Sequence, residues 1–310
     1  MRGDRGFALL AVTLVLALLA VIVGEFAFSM RLEATMVRSY REEVIGRHLA
    51  EAAVQQAIRE ILTDSQLVGL ADGVLTFFRL PARALPRLGR AEVPLGRGTF
   101  SYKITDEEAR INLNTAPPER VDRLLTVLGV DKQRRDIIND SLQDWKDPNE
   151  LRRVNGAESE DYLRLPVPYR ARNANLEDVA ELLQIHGVTP DLYFGRSGEP
   201  GLVEFVTVRG AGQVNINTAS STVLKALGLS EAEVSQIVQT RAAAPYAQVP
   251  AQFTGRGLST STRTFRVEAE GFVNGERTAR VVAIVQKAND ASGQPAGVIV
   301  SWNPAPEGQP

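Results

Sequence analysis

Eight side chains between residues 140 and 161 concentrate the coordinating chemistry of this sequence: Asp140, Asp144, Asp147, Asn149, Glu150, Glu158, Glu160 and Asp161. They share a segment with Pro148 and Gly156. Clustered oxygen donors in such a loop are what a hard cation with about six to eight oxygen ligands requires. The spacing is not that of an EF-hand, and a solvated acidic loop has the same composition. Lys146, Arg152 and Arg153 add positive charge among the acids.

Other chemistry is excluded by composition. Cysteine is absent, which removes disulfides, thiolate metal sites and a thiol nucleophile. His48 and His186 are the only two histidines, too few for a histidine-rich metal centre. The sequence holds no Gly-x-Ser-x-Gly, phosphate loop or His-Glu-x-x-His, so a non-enzymatic, structural role is expected. The 35 basic and 37 acidic residues nearly cancel, to −2, which argues against a protein built to neutralise phosphate backbones. A 44% hydrophobic content is enough for a core, and 310 residues suit two or three compact units.

The elements that would carry such a loop begin with an apolar run. Phe7 to Gly24 holds eighteen residues without a charge, about 27 Å as a helix, close to the ~30 Å hydrocarbon core of a bilayer. Arg2 and Arg5 precede it, and flanking cations stay on the cytoplasmic side. The remaining chain is therefore expected across the membrane, in the periplasm of a bacterium. A secretory signal is the commoner reading of such an N-terminus. Here no small-x-small cleavage site follows, and Glu25 to Arg31 continues as helix. From Arg31 to Thr63 there is no proline and one glycine, Gly46. Val37, Tyr40, Val44, Ile45, Leu49, Ala52, Ala53, Ala57, Ile58, Ile61 and Leu62 recur at helical spacing. Arg41, Glu42, Glu43, Arg47, Glu51, Arg59 and Glu60 fill much of the other face, and His48 is expected to pack. The pattern predicts one helix of about 55 residues, a membrane segment running into an amphipathic stem.

A short basic leader ending in Gly6, followed by Phe7 and an apolar helix continuing into an amphipathic one, resembles the type IV pilin-like proteins. The resemblance implies cutting between Gly6 and Phe7 by prepilin peptidase, a membrane aspartyl protease, and methylation of the new Phe7 amine. It also implies a single-pass inner-membrane protein with its C-terminal part in the periplasm. The family usually has Glu as the fifth mature residue, where this chain has Ala11. An unpaired carboxylate in an apolar helical bundle is costly or neutralises. A subunit without it suits a position with no neighbour above. In lacking this Glu, the sequence is similar to the K-subunit family of type II secretion pseudopilins, placed at the filament tip.

An internal repeat follows. Ile111-Asn-Leu-Asn-Thr-Ala116 matches Val214-Asn-Ile-Asn-Thr-Ala219, and each leads into a helix ending in Leu128-Gly129 or Leu227-Gly228. A second helix carries Ile137-Ile138 in one copy and Ile237-Val238 in the other. Thr115 and Thr218 are the expected N-caps. Pro117 and Pro118 fit a first turn, and Gly129 and Gly228 fit left-handed helix stops. Such hairpins are compatible with a membrane-anchored helix-hairpin-helix protein of DNA uptake. That motif grips phosphate through a Gly-x-Gly hairpin. The second glycine is missing in both copies, and Asp131 and Glu231 stand where an anion would bind. A scaffold module is preferred and no nucleic acid is expected.

Other elements read as strands: Leu75–Arg79 within a loop-like stretch 64–98, then Thr99–Thr105, Glu204–Val208, and Val298–Trp302. Phe265–Val273 and Glu276–Val285 form a hairpin around Asn274-Gly275. Asn175 is expected to cap a helix through Leu182-Leu183, with His186 as cap or core at its end. The whole predicts an α+β fold.

The K-family resemblance covers most of the chain. It implies a long helix on a pilin-like antiparallel sheet, with two inserted helical modules resembling the sterile alpha motif. The divisions are leader 1–6, transmembrane and stem helix 7–63, first pilin-like part 64–110, first helical module with the acidic loop 111–200, strand and second module 201–255, C-terminal strands 256–303, and a tail 304–310 expected to lack order. The family's structural calcium sites lie in a loop shaped like Asp144-Trp-Lys-Asp147, Gly156-Ala-Glu158 and Asp161-Tyr162. The ligand set so implied is Asp144, Asp147, Asn149, Glu150, Glu158 and Asp161. Implied partners are the I-type and J-type minor pseudopilins, prepilin peptidase and the inner membrane.

Overall fold

The structure is a computed structural model that describes residues 4–196 and 198–305. Residues 1–3, in the expected leader, and 306–310, in the expected tail, lie outside the described residues. The single long helix is present. Helix α1 (Asp4–Ile61) has 58 residues, about 87 Å at 1.5 Å per residue. It holds an 18-residue window of mean hydropathy 2.7 with 0% buried, long and apolar enough to cross a membrane. Val37 and Tyr40, expected in the packed stripe, remain exposed. Burial begins near Ile45 and covers Leu49, Ala50, Ala53, Val54, Ala57, Ile58 and Ile61. Glu60, assigned to the solvent face by its type, is buried. It falls on the Ala53–Ala57–Ile61 stripe, since residues three and four apart share a face.

Behind the stem stands a hairpin of β1 (Leu67–Ala71) and β2 (Val74–Arg79), edged by β3 (Arg83–Ala84). The stretch taken for loop is thus partly strand. Its turn, Asp72-Gly73, has positive φ at both residues, 52° and 75°, as a two-residue hairpin turn of this kind demands. The main sheet uses β4 (Val93–Leu95) and β5 (Gly98–Asp106) from this part of the chain.

Two helical modules follow. The first runs from β6 (Ile111–Asn112) through α2 (Pro118–Val127), α3 (Lys132–Lys146), α4 (Ser159–Tyr162) and α5 (Pro190–Phe194). A short ribbon, β7 (Gly195–Arg196) with β8 (Glu199–Pro200), precedes β9 (Val206–Thr207), which pairs in parallel with β6. The strand expected over 204–208 is thus reduced to two residues, because Leu202–Glu204 turns as 3-10 helix. The second module is β10 (Val214–Asn215), α6 (Ser221–Ala226), α7 (Glu231–Ala243) and β11 (Leu258–Ser259), with β10 and β11 again parallel.

The chain then returns to the sheet as β12 (Thr264–Val273), β13 (Glu276–Asn289) and β14 (Pro295–Ala305). The order is β14-β13-β12-β5-β4, antiparallel throughout. Asn274 and Gly275 take the expected turn with φ 54° and 84°. The last strand reaches Ala305, beyond the 303 boundary expected. Two apolar clusters result. One lies between α1 and the sheet; the other, around Leu124, Leu142, Trp145, Leu224 and Ile237, is shared by both modules.

Glycines set how closely α1 approaches the sheet. A Cβ at Gly271 in β12 would overlap the Gly46 carbonyl oxygen, and one at Gly46 would overlap the Thr278 hydroxyl. Gly98 is filled by the Phe272 carbonyl and the Leu49 side chain, 2.6 Å from a would-be Cβ. A mid-helix glycine costs about 1 kcal/mol against alanine, so Gly46 is explained by contact rather than propensity. Gly271→Val is expected to destabilise the fold by about 2–3 kcal/mol, because its obstruction is backbone and cannot yield. Thermal unfolding by circular dichroism should show a drop of several degrees, whereas Gly24→Ala, with nothing within 4 Å, should leave the midpoint unchanged or raised.

Candidate functional site

The acidic loop is held by α3 and α4. Asp144 is fully buried, and Arg153 binds it at 2.6 Å while also binding Asp147 at 2.6 Å. The Arg153 backbone N–H adds a 3.1 Å bond to Asp144 Oδ2. Gly156 is required here, since a Cβ would overlap Asp144 Oδ2. Glu158 is 3% exposed, and neither carboxylate oxygen has a hydrogen-bond partner. Burial, then the charges of Asp144, Glu150 and Asp147, push its carboxyl up to about 7. Glu150 accepts from Ser159 Oγ at 2.9 Å and Asn173 Nδ2 at 2.8 Å. Below the acids, Trp145 meets Tyr162 edge-on at 5.4 Å, and Tyr162 stacks on Tyr169 at 5.1 Å.

The structure places Asp144, Asp147 and Glu150 where their charges act on Glu158. Asn149 and Asp161 serve the loop itself: Asn149 Oδ1 accepts from Leu151 N, while Asp161 accepts from Glu158 N and Arg152. Lys146, expected among the acids, instead reaches the Leu113 carbonyl at 2.7 Å. Among the described residues no three acids stand together at metal-holding spacing. The donors are of the type a hard cation takes, but Arg153 already supplies the positive charge between Asp144 and Asp147.

The repeated Asn-x-Asn-Thr has a structural role in both copies. Asn112 Oδ1 accepts from Asn114 N at 2.9 Å, and Asn215 Oδ1 from Asn217 N at 3.0 Å. The second Asn of each pair clamps a distant backbone: Asn114 bonds Leu176 N and O, and Asn217 bonds Tyr246 N and O. Thr115 and Thr218 are not the caps expected. Pro117 and Ser220 hold those positions, the latter with its hydroxyl accepting from Val223 N. Gly129 and Gly228 end their helices with φ 75° and 84°, each in a Schellman pair of bonds. Asp131 accepts from Arg134 N and fills its own helix N-terminus, which leaves that end closed to phosphate.

Other expectations change in detail. Asn175 is no cap; Asp178 caps a 3-10 turn over Val179–Gln184, with Glu181 completing a capping box. His186 is exposed, with its backbone N–H donating to the Tyr162 hydroxyl at 3.2 Å. His48 is exposed and pairs with Glu51 at 2.9 Å rather than packing.

The residues missed from sequence are three consecutive buried acids at the end of β5. Asp106 accepts from Glu108 N at 2.8 Å, Thr262 Oγ1 at 2.6 Å, Asn215 Nδ2 at 2.8 Å and Thr218 Oγ1 at 2.6 Å. Glu107 accepts from Arg266 Nε at 2.9 Å, Thr207 Oγ1 at 2.7 Å and Arg110. Glu108 accepts from Thr264 Oγ1 at 2.9 Å. Burial would raise Glu107, but hydrogen bonds from Arg266 and the charges of Arg110 and Arg266 hold it below the usual range. Asp106 has hydroxyl and amide donors instead of cations, and burial pushes it up to about 6. The signal was present: Phe100, Tyr102 and Ile104 alternate inward, so position 106 must face inward too.

A membrane-anchoring helix on a pilin-like sheet that carries two inserted helical modules defines a minor pseudopilin. Family models described as type II secretion system protein K match residues 103–195 and 214–272. The type II secretion system protein K of Pectobacterium carotovorum subsp. carotovorum is 29% identical over 308 residues, covering 87% of this chain and 86% of the relative. That of Klebsiella pneumoniae is 28% identical, covering 80% and 78%. In fold, the chain matches a chain of the solved GspK–GspI–GspJ complex of enterotoxigenic Escherichia coli with TM-score 0.66 and 18% identity, over 88% of this chain and 99% of that one. This chain is similar to the type II secretion system protein K family over both helical modules and in its overall length.

The acidic junction gives a signed pH dependence. A carboxyl raised from 3.8 to about 6 on folding binds its proton more tightly in the folded state. Its contribution is therefore fully present below about pH 4 and is lost as pH rises through about 6. The loss amounts to about 3 kcal/mol by pH 7. Unfolding free energies of the native protein and Asp106→Asn, measured from pH 4 to 7, should diverge with the native protein losing ground as pH rises. A difference that grows in the native protein's favour would reverse the sign and refute the account.

Proposed function

We propose that this pseudopilin acts as the tip subunit of a short periplasmic filament, after cleavage between Gly6 and Phe7 and methylation of the Phe7 amine. The supporting observation is one continuous helix, exposed and apolar in its first half and fixed to the head in its second. Such a rod is stored in lipid, held by its apolar length. It enters a filament by exchanging lipid for the helices of other subunits. Ala11 leaves no carboxylate for a neighbour above to neutralise, and the inserted modules add bulk that obstructs growth over it. The partners are minor pseudopilins of the I and J types, as in the complex whose chain shares this fold. The helix spans the inner membrane once, with the head in the periplasm, and the role is assembly rather than catalysis.

The direct test is N-terminal sequencing of the membrane-extracted protein from cells with and without prepilin peptidase. The mature chain should begin at methylated Phe7 only where the peptidase is present. A mature start beyond Arg31 would remove the rod and end this reading.

The acidic loop serves as a structural cation site in the same reading. Asp144, Asp147, Glu150 and Glu158 would hold calcium, which supplies divalent charge to tie the loop to α3. A ligand that binds only the folded state stabilises by about 2.7 kcal/mol at a hundred times its dissociation constant. Calcium should therefore raise the unfolding temperature of the native protein, magnesium should do so less, and Glu158→Ala should abolish the increment. Equal midpoints with calcium and with chelator would exclude the site.

A further inference from the structure

Three arginines gather where the two modules meet. Arg120 and Arg123 lie one turn apart on α2, on one helix face, and Arg256 comes from the loop before β11. Arg123 Nε donates to the Ala226 carbonyl at 3.0 Å, and Arg256 donates to the Gly228 carbonyl. These two cations thus rest on the negative C-terminal end of α6. Arg256 also faces Glu233 at 3.8 Å.

Arg120 has no such support. Its guanidinium lies over Gly257, where a Cβ would stand 2.5 Å from Nη2. Its Nε is buried without a hydrogen-bond partner, and the charge acting on it is the like charge of Arg123. Burying a donor unpaired carries a desolvation penalty, and a neighbouring cation adds repulsion. A planar guanidinium with a free fork is complementary to an oxyanion, above all to a carboxylate taken bidentately. A polyphosphate is a poorer match, because its repeated charge exceeds what the one unpaired guanidinium offers and the exposed Glu119 adjoins Arg120 in the chain.

We propose that Arg120, with Arg123 beside it, is a binding site for a carboxylate presented by another polypeptide, docking across the seam between the two helical modules. The charge complementarity is local. One acidic side chain or chain terminus satisfies the buried Nε and cancels the repulsion between the two guanidiniums. The inference goes beyond the secretion reading and stands on this geometry alone.

The test uses the full chain in detergent. A labelled, end-blocked peptide of alternating Glu and Ala is titrated by fluorescence anisotropy, with a duplex DNA of the same net charge as a second probe and inorganic phosphate as competitor. The peptide should bind the native protein at least tenfold more tightly than Arg120→Gln, with Arg120→Lys between them. Thermal unfolding supplies a readout that a packing role would not give: without ligand, Arg120→Gln should unfold at or above the native temperature, because an uncompensated charge has gone. Peptide binding indifferent to Arg120, tighter Arg120-dependent binding of DNA, full displacement by phosphate at equal concentration, or a lower midpoint for Arg120→Gln would each overturn the proposal.

Discussion

Three carboxylates in a row, Asp106, Glu107 and Glu108, carry the joint on which this molecule depends. Asp106 ends strand β5 and Glu107 and Glu108 follow it, where the sheet ends and the helical insertion begins. Each ties a different part of the chain. Asp106 holds Asn215 and Thr218 of the second module and Thr262 ahead of β12. Glu107 holds Thr207 at the close of the first module and Arg266 in β12. Glu108 holds Thr264 at the strand's start. The insertion of about 150 residues between β5 and β12 therefore leaves and re-enters the sheet through one polar knot. Removing one partner would strand the others as buried unpaired donors or charges, the most damaging kind of single change.

The same logic recurs at the far end of the stem. Glu60, in the last turn of α1, is buried and accepts from Arg90 at 2.6 and 3.0 Å and from the Tyr102 hydroxyl at 2.9 Å. Burial, then the Glu60 charge, raises the Tyr102 phenol to about 12, so it remains a donor. Toward the other end of the sheet, Gly46, Gly98 and Gly271 set the distance between helix and sheet. Apolar burial brings the surfaces together but has no direction; the glycine contacts fix the depth and the hydrogen-bonded acids fix the angle.

Much of this was legible from residue order. The unbroken helix followed from an apolar run continuing without proline into a helical stripe, and the β12–β13 hairpin from Asn274-Gly275. The repeat announced two related modules, and Gly129 and Gly228 marked their helix ends. The function of the repeat's polar residues was not legible, because a threonine before a helix resembles a cap whether or not its hydroxyl turns inward. Thr218 does turn inward, and Ser220 two residues later takes the cap. Residue type alone places Glu60 and Asp106 at the surface, whereas their positions place them inside. Both lie on stripes whose other members are buried. The acidic loop was legible as a cluster, but its internal assignment depends on where Arg153 and Lys146 point, and one turns in while the other turns away.

The two cores also bear on how such a head can be carried by a helix. The cluster beneath the sheet includes the end of α1, whereas the module cluster contains no residue of it. A pull along α1 is therefore resisted first by the sheet, through backbone contacts at Gly46 and Gly271 and the apolar rows from Leu49 to Ile61. It reaches the modules through β5, β12 and the acids between them, and through β1, where Val68 O accepts from Asn215 Nδ2 and Gly69 lies against Pro245. Carboxylates with several short bonds to separate segments resist displacement in every direction at once, which a greasy contact of equal area does not. The placement of buried acids at this joint, despite the desolvation cost of ionising Asp106, follows from the need to hold a large insertion at one fixed attitude to the rod.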